Sequence, residues 1–291
     1  MTGLVPPKVV WLFSLARSGS SVAVYSAAAP WGHAVGDELL GPWDRTGAPY
    51  NYPARQKDLA ELYRARDHTL APDVVSLFNQ VAAELNLRSG TPSIAVGGVD
   101  PASRASNGPT NVVISKHPHL RPGPDEFRAA FPGVKFVYLI RNPLHRLNSM
   151  HARGWNKSFG PNQDLDRYKQ FAKWWLAQPI RHSYDQFKAQ PRAFFRGLYT
   201  AWGLEFGDEH VDAAVEYSKQ HYHDSSLEMS DRDPSKGVLS ETKFALPREA
   251  LDLYLKDPFI VDLMTEMGWS MEPEDYGIEV GCGVDKGIGN R

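Results

Sequence analysis

The sequence predicts an α/β fold built on an open sheet, and three observations carry the prediction. Short apolar runs at 8–14 (KVVWLFS), 111–115 (NVVIS) and 134–140 (VKFVYLI) each stop abruptly, as buried strands do. The first and third lead straight into helix-forming segments. After the third, Arg141 is followed by Asn142 and Pro143, a capping residue and a favoured first helical residue. Finally, the 291 residues are 42% hydrophobic, enough for one large core. In open α/β sheets ligands bind beyond the carboxyl ends of the strands, so the residues after each run are the ones to read for chemistry.

Composition excludes several classes. Lysine plus arginine (32) nearly balances aspartate plus glutamate (34), for a formal charge of -2. That argues against general nucleic-acid binding through charge and leaves room for a local basic pocket. The one cysteine, Cys282, excludes an intrachain disulfide framework and most cysteine-based metal sites. No run reaches membrane-spanning length and no amino-terminal signal pattern is present, so a cytoplasmic protein without membrane partners is expected.

In chain order, the strand at 8–14 gives way to LARSGSS (15–21) and a helix of small residues. Gly19 permits a tight turn. The hydroxyls of Ser18, Ser20 and Ser21 stand where the helix begins, and Arg17 adds a fixed charge with several donors. Free N–H groups and the helix dipole make such a joint an anion site; its plain alternative is a serine-capped helix. The stretch 31–52 reads as an aromatic loop with Trp31, Trp43, Tyr50 and Tyr52. Residues 72–87 form an amphipathic helix on the stripe Val74, Leu77, Phe78, Val81, Ala82 and Leu85. Residues 88–110 read as a long surface loop. After the strand at 111–115, Lys116, His117 and His119 cluster at a strand end. Two histidines two apart suit a metal only with a third ligand, and none stands at convincing spacing, so general base catalysis or loop polarity is the better reading. Beyond 134–140, Asn142, Arg146 and Ser149 share one helix face, where Arg141 at the strand end and Ser149 two turns on suit an anionic group. Helices follow at 164–178, 193–202, 209–219 and 251–267, with a short strand at 180–184 and a polar segment at 231–246. No repeat or composition break marks a second domain. The expectation is one domain over 1–291 with its core at 8–269 and a flexible tail at 277–291.

Two separated anion sites and a histidine fit a ligand with phosphate at both ends. Here the sequence resembles the sulfotransferases that use 3′-phosphoadenosine 5′-phosphosulfate. ARSGSS resembles their 5′-phosphosulfate loop. LIRNPLHRLNS resembles their 3′-phosphate motif, an arginine followed eight residues later by a serine, as Arg141 is by Ser149. SKHPHL resembles the segment with their catalytic histidine, and SKG (235–237) resembles the late loop over the 3′-phosphate. RHSYDQFKAQPRAFFRGLYTAWGL resembles the family's strand-turn-helix segment. The matches run from about Lys8 to Trp269, and their order and spacing make the case.

The resemblance implies a three-layer sandwich, a central parallel sheet flanked by helices as in P-loop nucleotide kinases. It implies sulfuryl transfer to a hydroxyl or amine of a small-molecule or carbohydrate acceptor, with no metal. Arg17, Ser18, Gly19, Ser20, Ser21, Arg141, Ser149, Tyr184, Lys236 and Gly237 would hold the donor. His119 or His117 would be the base, His119 preferred, with Lys116 and Arg17 withdrawing charge. The sequence departs from the family at Val22, where a tryptophan often stacks on adenine, and at Ser235, which replaces an arginine. A P-loop kinase or NTPase is the first rival, but the loop has one glycine and no lysine where G-x-x-x-x-G-K-[ST] is needed. A binding protein that keeps the pocket without turnover is the second. The acceptor and the oligomeric state have no readable code.

Overall fold

The computed structural model describes residues 7–41, 52–87, 110–151, 160–220 and 246–276. Trp43, Tyr50, the loop at 88–109, Lys236, Gly237 and the tail at 277–291 lie outside them. The chain divides into two compact units. The first takes the described residues up to Arg141 together with 171–220; the second takes those within 142–170 and 246–276.

The first unit is an α/β sandwich. Its strands are β1 (Lys8–Ser14), β2 (Ala34–Asp37), β3 (Val112–His117), β4 (Lys135–Ile140) and β5 (His182–Ser183). They form one sheet in the order β2-β3-β1-β4-β5, and every pairing is parallel. A parallel sheet needs helices over both faces, so its strands read as nearly continuous apolar runs. In β1, Val10, Trp11, Leu12 and Phe13 have no exposed surface.

Alternation along the strands divides these residues between two cores. On one face Val10 and Leu12 join Ile114, Val137 and Leu139 under three helices: α1 (Ser20–Ala28), α8 (Pro191–Trp202) and α9 (Asp208–Gln220). On the other, Trp11 stacks on Phe78 of α3 (Pro72–Leu87), and Trp11 and Phe13 both meet Phe127 of α4 (Pro124–Ala130) edge-on, at 4.8 Å. Of the stripe on α3, Val74, Phe78, Val81, Ala82 and Leu85 are buried as the spacing predicts, and Leu77 at its edge is half-buried. Helix α8 starts at Pro191, stops at Gly203 with φ +60, and buries Phe194, Phe195, Leu198, Tyr199 and Trp202. Its polar tips reach strand and helix backbone, Trp202 Nε1 to Trp11 O (3.0 Å) and Tyr199 OH to Ala27 O (3.2 Å).

Several expected boundaries shift. Strand β2 lies inside the stretch 31–52 that reads as loop, and helix α2 (Arg55–Ala65) follows that stretch; four residues, AVGD, are too few for a periodic signal. Strand β3 runs on to His117, and β5 keeps only His182 and Ser183. The next helix, α7 (Tyr184–Ala189), begins there because Ser183 Oγ accepts the Gln186 N–H at 3.0 Å.

In the second unit, helix α5 (Pro143–His151) starts at Asn142, whose Oδ1 accepts the N–H groups of Leu144 and His145. Its Nδ2 donates to Tyr276 OH (3.1 Å), and Tyr276 donates in turn to Ser270 O. One turn on, Arg146 is 1% exposed. Its guanidinium is ion-paired with Asp164 of α6 (Pro161–Leu176), and the same carboxylate oxygen accepts Tyr254 OH at 2.7 Å. Tyr254 belongs to α10 (Arg248–Leu255). The single helix expected at 251–267 is therefore two, since α11 (Pro258–Glu266) starts afresh at Asp257, whose carboxylate accepts the Ile260 N–H (3.2 Å) ahead of Pro258.

Among the described residues no helix is long and apolar enough to cross a membrane. The buried Arg146–Asp164 pair sets a stability prediction. Asp164→Ala leaves a buried guanidinium without its counter-charge, which costs about 3–5 kcal/mol. Urea unfolding followed by circular dichroism is expected to show that loss, and a shift under about 1 kcal/mol would contradict it.

Candidate functional site

The β1–α1 and β3–α4 connections leave neighbouring strands toward opposite faces of the sheet. Helix α1 packs in one core and α4 in the other. Strands β1 and β3 are hydrogen-bonded neighbours, so their carboxyl ends form the kind of switch point where open α/β sheets bind ligands.

The β1–α1 loop supplies one wall. Arg17 has φ +70 and Gly19 φ +82, and these left-handed residues turn the chain from strand into helix. Glycine takes such a conformation freely, while arginine does so at a cost. Ser18 N–H donates to Leu15 O at 3.3 Å, and Ala23 N–H closes the first helical turn on Gly19 O at 3.1 Å. The N–H groups ahead of Ala23 have no intrahelical acceptor, and no side chain caps them. They and the helix dipole make an electropositive end. Ser18 and Ser20 are buried there, and Arg17 and Ser21 half-buried.

Two side chains from further along the chain hold this loop. Arg141, just past β4, donates from Nη1 to Arg17 O at 3.0 Å. The same guanidinium lies over the Tyr184 ring, 4.8 Å from its centroid. Tyr184 packs so closely on the turn that a Cβ at Gly19 would stand 2.1 Å from its Cδ2. The structure thus brings Arg17, Gly19, Arg141 and Tyr184 together.

The strand-end cluster is arranged differently from its sequence reading. Because β3 continues through His117, alternation sends Lys116 and His117 to opposite faces. Lys116 turns toward α1 and donates to Ser21 Oγ at 2.5 Å. It is 6% exposed and sits 2.8 Å from Asp37 Oδ1 and 3.3 Å from Glu38 Oε1. It is therefore a paired, buried cation. His117 turns into the aromatic core against Phe13 and Phe127 and has no exposed surface. Its Nε2 lies 3.0 Å from Arg121 O. Burial, with His119 beside it, pushes its pKa down to about 3. His119, beyond the strand, is half-buried with its ring edge-on to His117 at 5.4 Å. Of the two histidines it is the one that keeps some exposed surface, although its Nε2 is buried.

Asp37 and Glu38 escaped the sequence reading because β2 did. Asp37 is held from three sides: Tyr25 OH donates to its Oδ2 (3.3 Å), its N–H donates to Tyr52 Oη (2.6 Å), and Lys116 pairs with Oδ1. Glu38 has φ +59, an uncommon conformation for a non-glycine residue. A Gly-Asp-Glu run directly after the apolar pair Ala34-Val35 was the available signal. Ser149 is buried on α5 in the second unit. Arg146, on its face by spacing, is committed to Asp164 and is not an anion ligand. No group of three or more metal-binding side chains stands close enough to hold an ion among the described residues.

Two solved structures are similar to this chain. One is a sulfotransferase domain from the curacin biosynthetic pathway, 13% identical over 93% of this chain and 100% of that one, with a TM-score of 0.43. The other is a sulfotransferase domain from the Synechococcus PCC 7002 olefin synthase, 14% identical over 94% and 98%, with a TM-score of 0.48. No protein-family model and no curated protein matches the sequence.

Two buried imidazoles, His117 and His182, and the half-buried His33, which also faces His210, set a pH prediction. Burial pushes His117 down to about 3, and His182 and His33 to about 4, against an ordinary 6.5. Below pH 6.5 the unfolded chain binds more protons than the folded one. Stability is therefore complete above that pH and falls as pH drops toward 4. Each histidine contributes roughly 1–2 kcal/mol of the loss by pH 5. Urea midpoints at pH 7.5 and 5 test it. Replacing His182 with phenylalanine is expected to shrink the difference, and an unchanged difference would remove His182 from the account.

Proposed function

We propose that this protein is a sulfotransferase that moves a sulfuryl group from 3′-phosphoadenosine 5′-phosphosulfate to a hydroxyl or amine of a small-molecule or carbohydrate acceptor. The observation that carries the reading is the pairing of two arginines, Arg17 and Arg141, with a helix N-terminus that no side chain caps, at the carboxyl edge of the sheet where β3 also ends in a histidine segment. A kinase loop of this design needs a lysine in the turn, which Arg17-Ser18-Gly19-Ser20 lacks.

In this reading the N–H groups of the β1–α1 loop, with Ser18, Ser20, Ser21 and Arg17, hold the 5′-phosphosulfate. Arg141 meets the 3′-phosphate. The parts of Ser149, Lys236 and Gly237 in that contact rest on the sequence resemblance. His119 takes the proton from the acceptor as its oxygen or nitrogen attacks sulfur from the side opposite the leaving phosphate. The sulfur–oxygen bond to the 5′-phosphate breaks, and the electron pair leaves with adenosine 3′,5′-bisphosphate. Arg17 and the loop amides stabilise the charge that builds on the departing oxygen. A positioned base of this kind contributes about 100- to 10,000-fold.

Lys116 acts through Ser21. Fixed by Asp37 and Glu38, it donates to the Ser21 hydroxyl and so orients that oxygen, while the two carboxylates keep the ammonium from competing for the donor's phosphates as a free cation.

Transfer from radiolabelled donor to a panel of phenols, alcohols, amines and sugars tests the proposal. His119→Ala is expected to spare donor binding and lower kcat by about 100-fold or more. Arg141→Ala is expected to raise the donor KM by roughly 10- to 100-fold, the worth of a charge-assisted hydrogen bond. Full activity in His119→Ala would falsify the base assignment. Phosphate transfer from ATP in place of sulfuryl transfer would establish the kinase reading instead.

A further inference from the structure

We infer that Arg141 and Tyr184 form a latch on the β1–α1 loop, so that the 5′ anion site is held in shape by the same arginine that meets the 3′ end of the ligand. Tyr184 is then a positioning residue, and its aromatic ring is the part that acts.

The loop needs such a latch. Gly19 tolerates its left-handed backbone, but Arg17 adopts φ +70 with a full side chain, a conformation that persists only where surrounding structure over-determines it. Helix α1 gives the loop no side-chain cap. What fixes Arg17 is the hydrogen bond from Arg141 Nη1 to its carbonyl, across 124 positions of sequence. What fixes Gly19 is the Tyr184 ring, whose Cδ2 and Cε2 stand 2.1 and 2.3 Å from where a Cβ would be. The two holds are joined, because the Arg141 guanidinium rests on that ring at 4.8 Å. A half-buried cation over an aromatic face is stabilised and loses rotational freedom. Tyr184 is itself anchored, 7% exposed and edge-on to Phe187, at the start of the helix that Ser183 caps.

The arrangement links two anion sites through one side chain. When Arg141 is drawn to a phosphate, its remaining donors still tie down the Arg17 carbonyl, so the 5′ loop and the 3′ contact respond together. A nucleotide that carries only a 5′-phosphate therefore depends on Arg141 as well, although it has no 3′-phosphate for Arg141 to touch.

The ligand half of this inference rests on the donor reading above, and the latch itself does not. The full chain without ligand is compared by hydrogen exchange at amides 18–22, and by calorimetry with adenosine 3′,5′-bisphosphate and with 5′-AMP. Tyr184→Leu and Arg141→Ala are each expected to lose exchange protection in the loop and to weaken 5′-AMP by about threefold to thirtyfold for the loss of a cation–π contact; Tyr184→Leu weakens the bisphosphate to the same extent, and Arg141→Ala weakens it by roughly 10- to 100-fold because the 3′-phosphate contact goes too. Tyr184→Phe, which keeps the ring, is expected to rescue what Tyr184→Leu loses. Thermal melts check that each variant is folded. Unchanged exchange and unchanged 5′-AMP binding in Tyr184→Leu and Arg141→Ala would overturn the latch. A loss in Tyr184→Phe equal to that in Tyr184→Leu would also overturn it, assigning the effect to the hydroxyl. If the wild-type chain binds neither nucleotide, the donor reading fails, and the exchange experiment still decides the latch.

Discussion

A guanidinium resting on an aromatic ring and bonded to a backbone carbonyl is the contact on which the proposed site depends. Arg141 stands at the end of β4, Tyr184 at the start of α7, and both close on the turn between β1 and α1. The turn carries a left-handed arginine and an uncapped helix end, neither of which is stable by its own local chemistry. Central placement of β1 in the sheet brings the three elements together. Its pairing with β4 aligns Ser14 with Leu139, two residues short of Arg141, so the arginine arrives level with the loop.

The charges near the loop are arranged by the same economy. A lysine in the sheet beside a helix N-terminus would repel the cations around it and, left free, would bind any anion. Asp37 and Glu38 neutralise Lys116 and direct its ammonium to Ser21. A buried ion pair of this sort adds little net stability. Its value lies in geometry, since the hydroxyl it orients belongs to the β1–α1 turn, the proposed anion loop. The opposite face treats its polar residue differently. His117 is enclosed among Trp11, Phe13 and Phe127 and kept neutral by burial. His119, two residues on and past the strand, is only half-buried and is the base in the proposed reaction.

Much of the fold around the candidate site was legible because the strands stop sharply. The apolar runs ending at Ser14 and Ile140 are sharp, and the turn and cap residues after them announce a ligand-binding edge. The strand ending at His117 was misjudged. Lys116 and His117 look like loop residues by polarity, and only pairing with β1 and β2 extends the strand over them. One consequence is that alternation separates two residues the sequence had placed side by side. Strand β2 was missed for want of length, and with it Asp37 and Glu38. Arg146 shared a face with Ser149 by spacing, but spacing is blind to Asp164, eighteen positions on, which takes its charge. The role of the Tyr184 ring was hidden because a packing contact on a glycine leaves no trace in sequence.

A nucleotide with phosphate at both its 3′ and 5′ positions is the ligand of the proposed site. Calorimetric titration of the full chain with adenosine 3′,5′-bisphosphate, 5′-AMP and ATP, without added metal, tests this most directly. The bisphosphate is expected to bind at least about tenfold more tightly than either of the others. Equal affinity for all three, or a preference for ATP, would contradict the account.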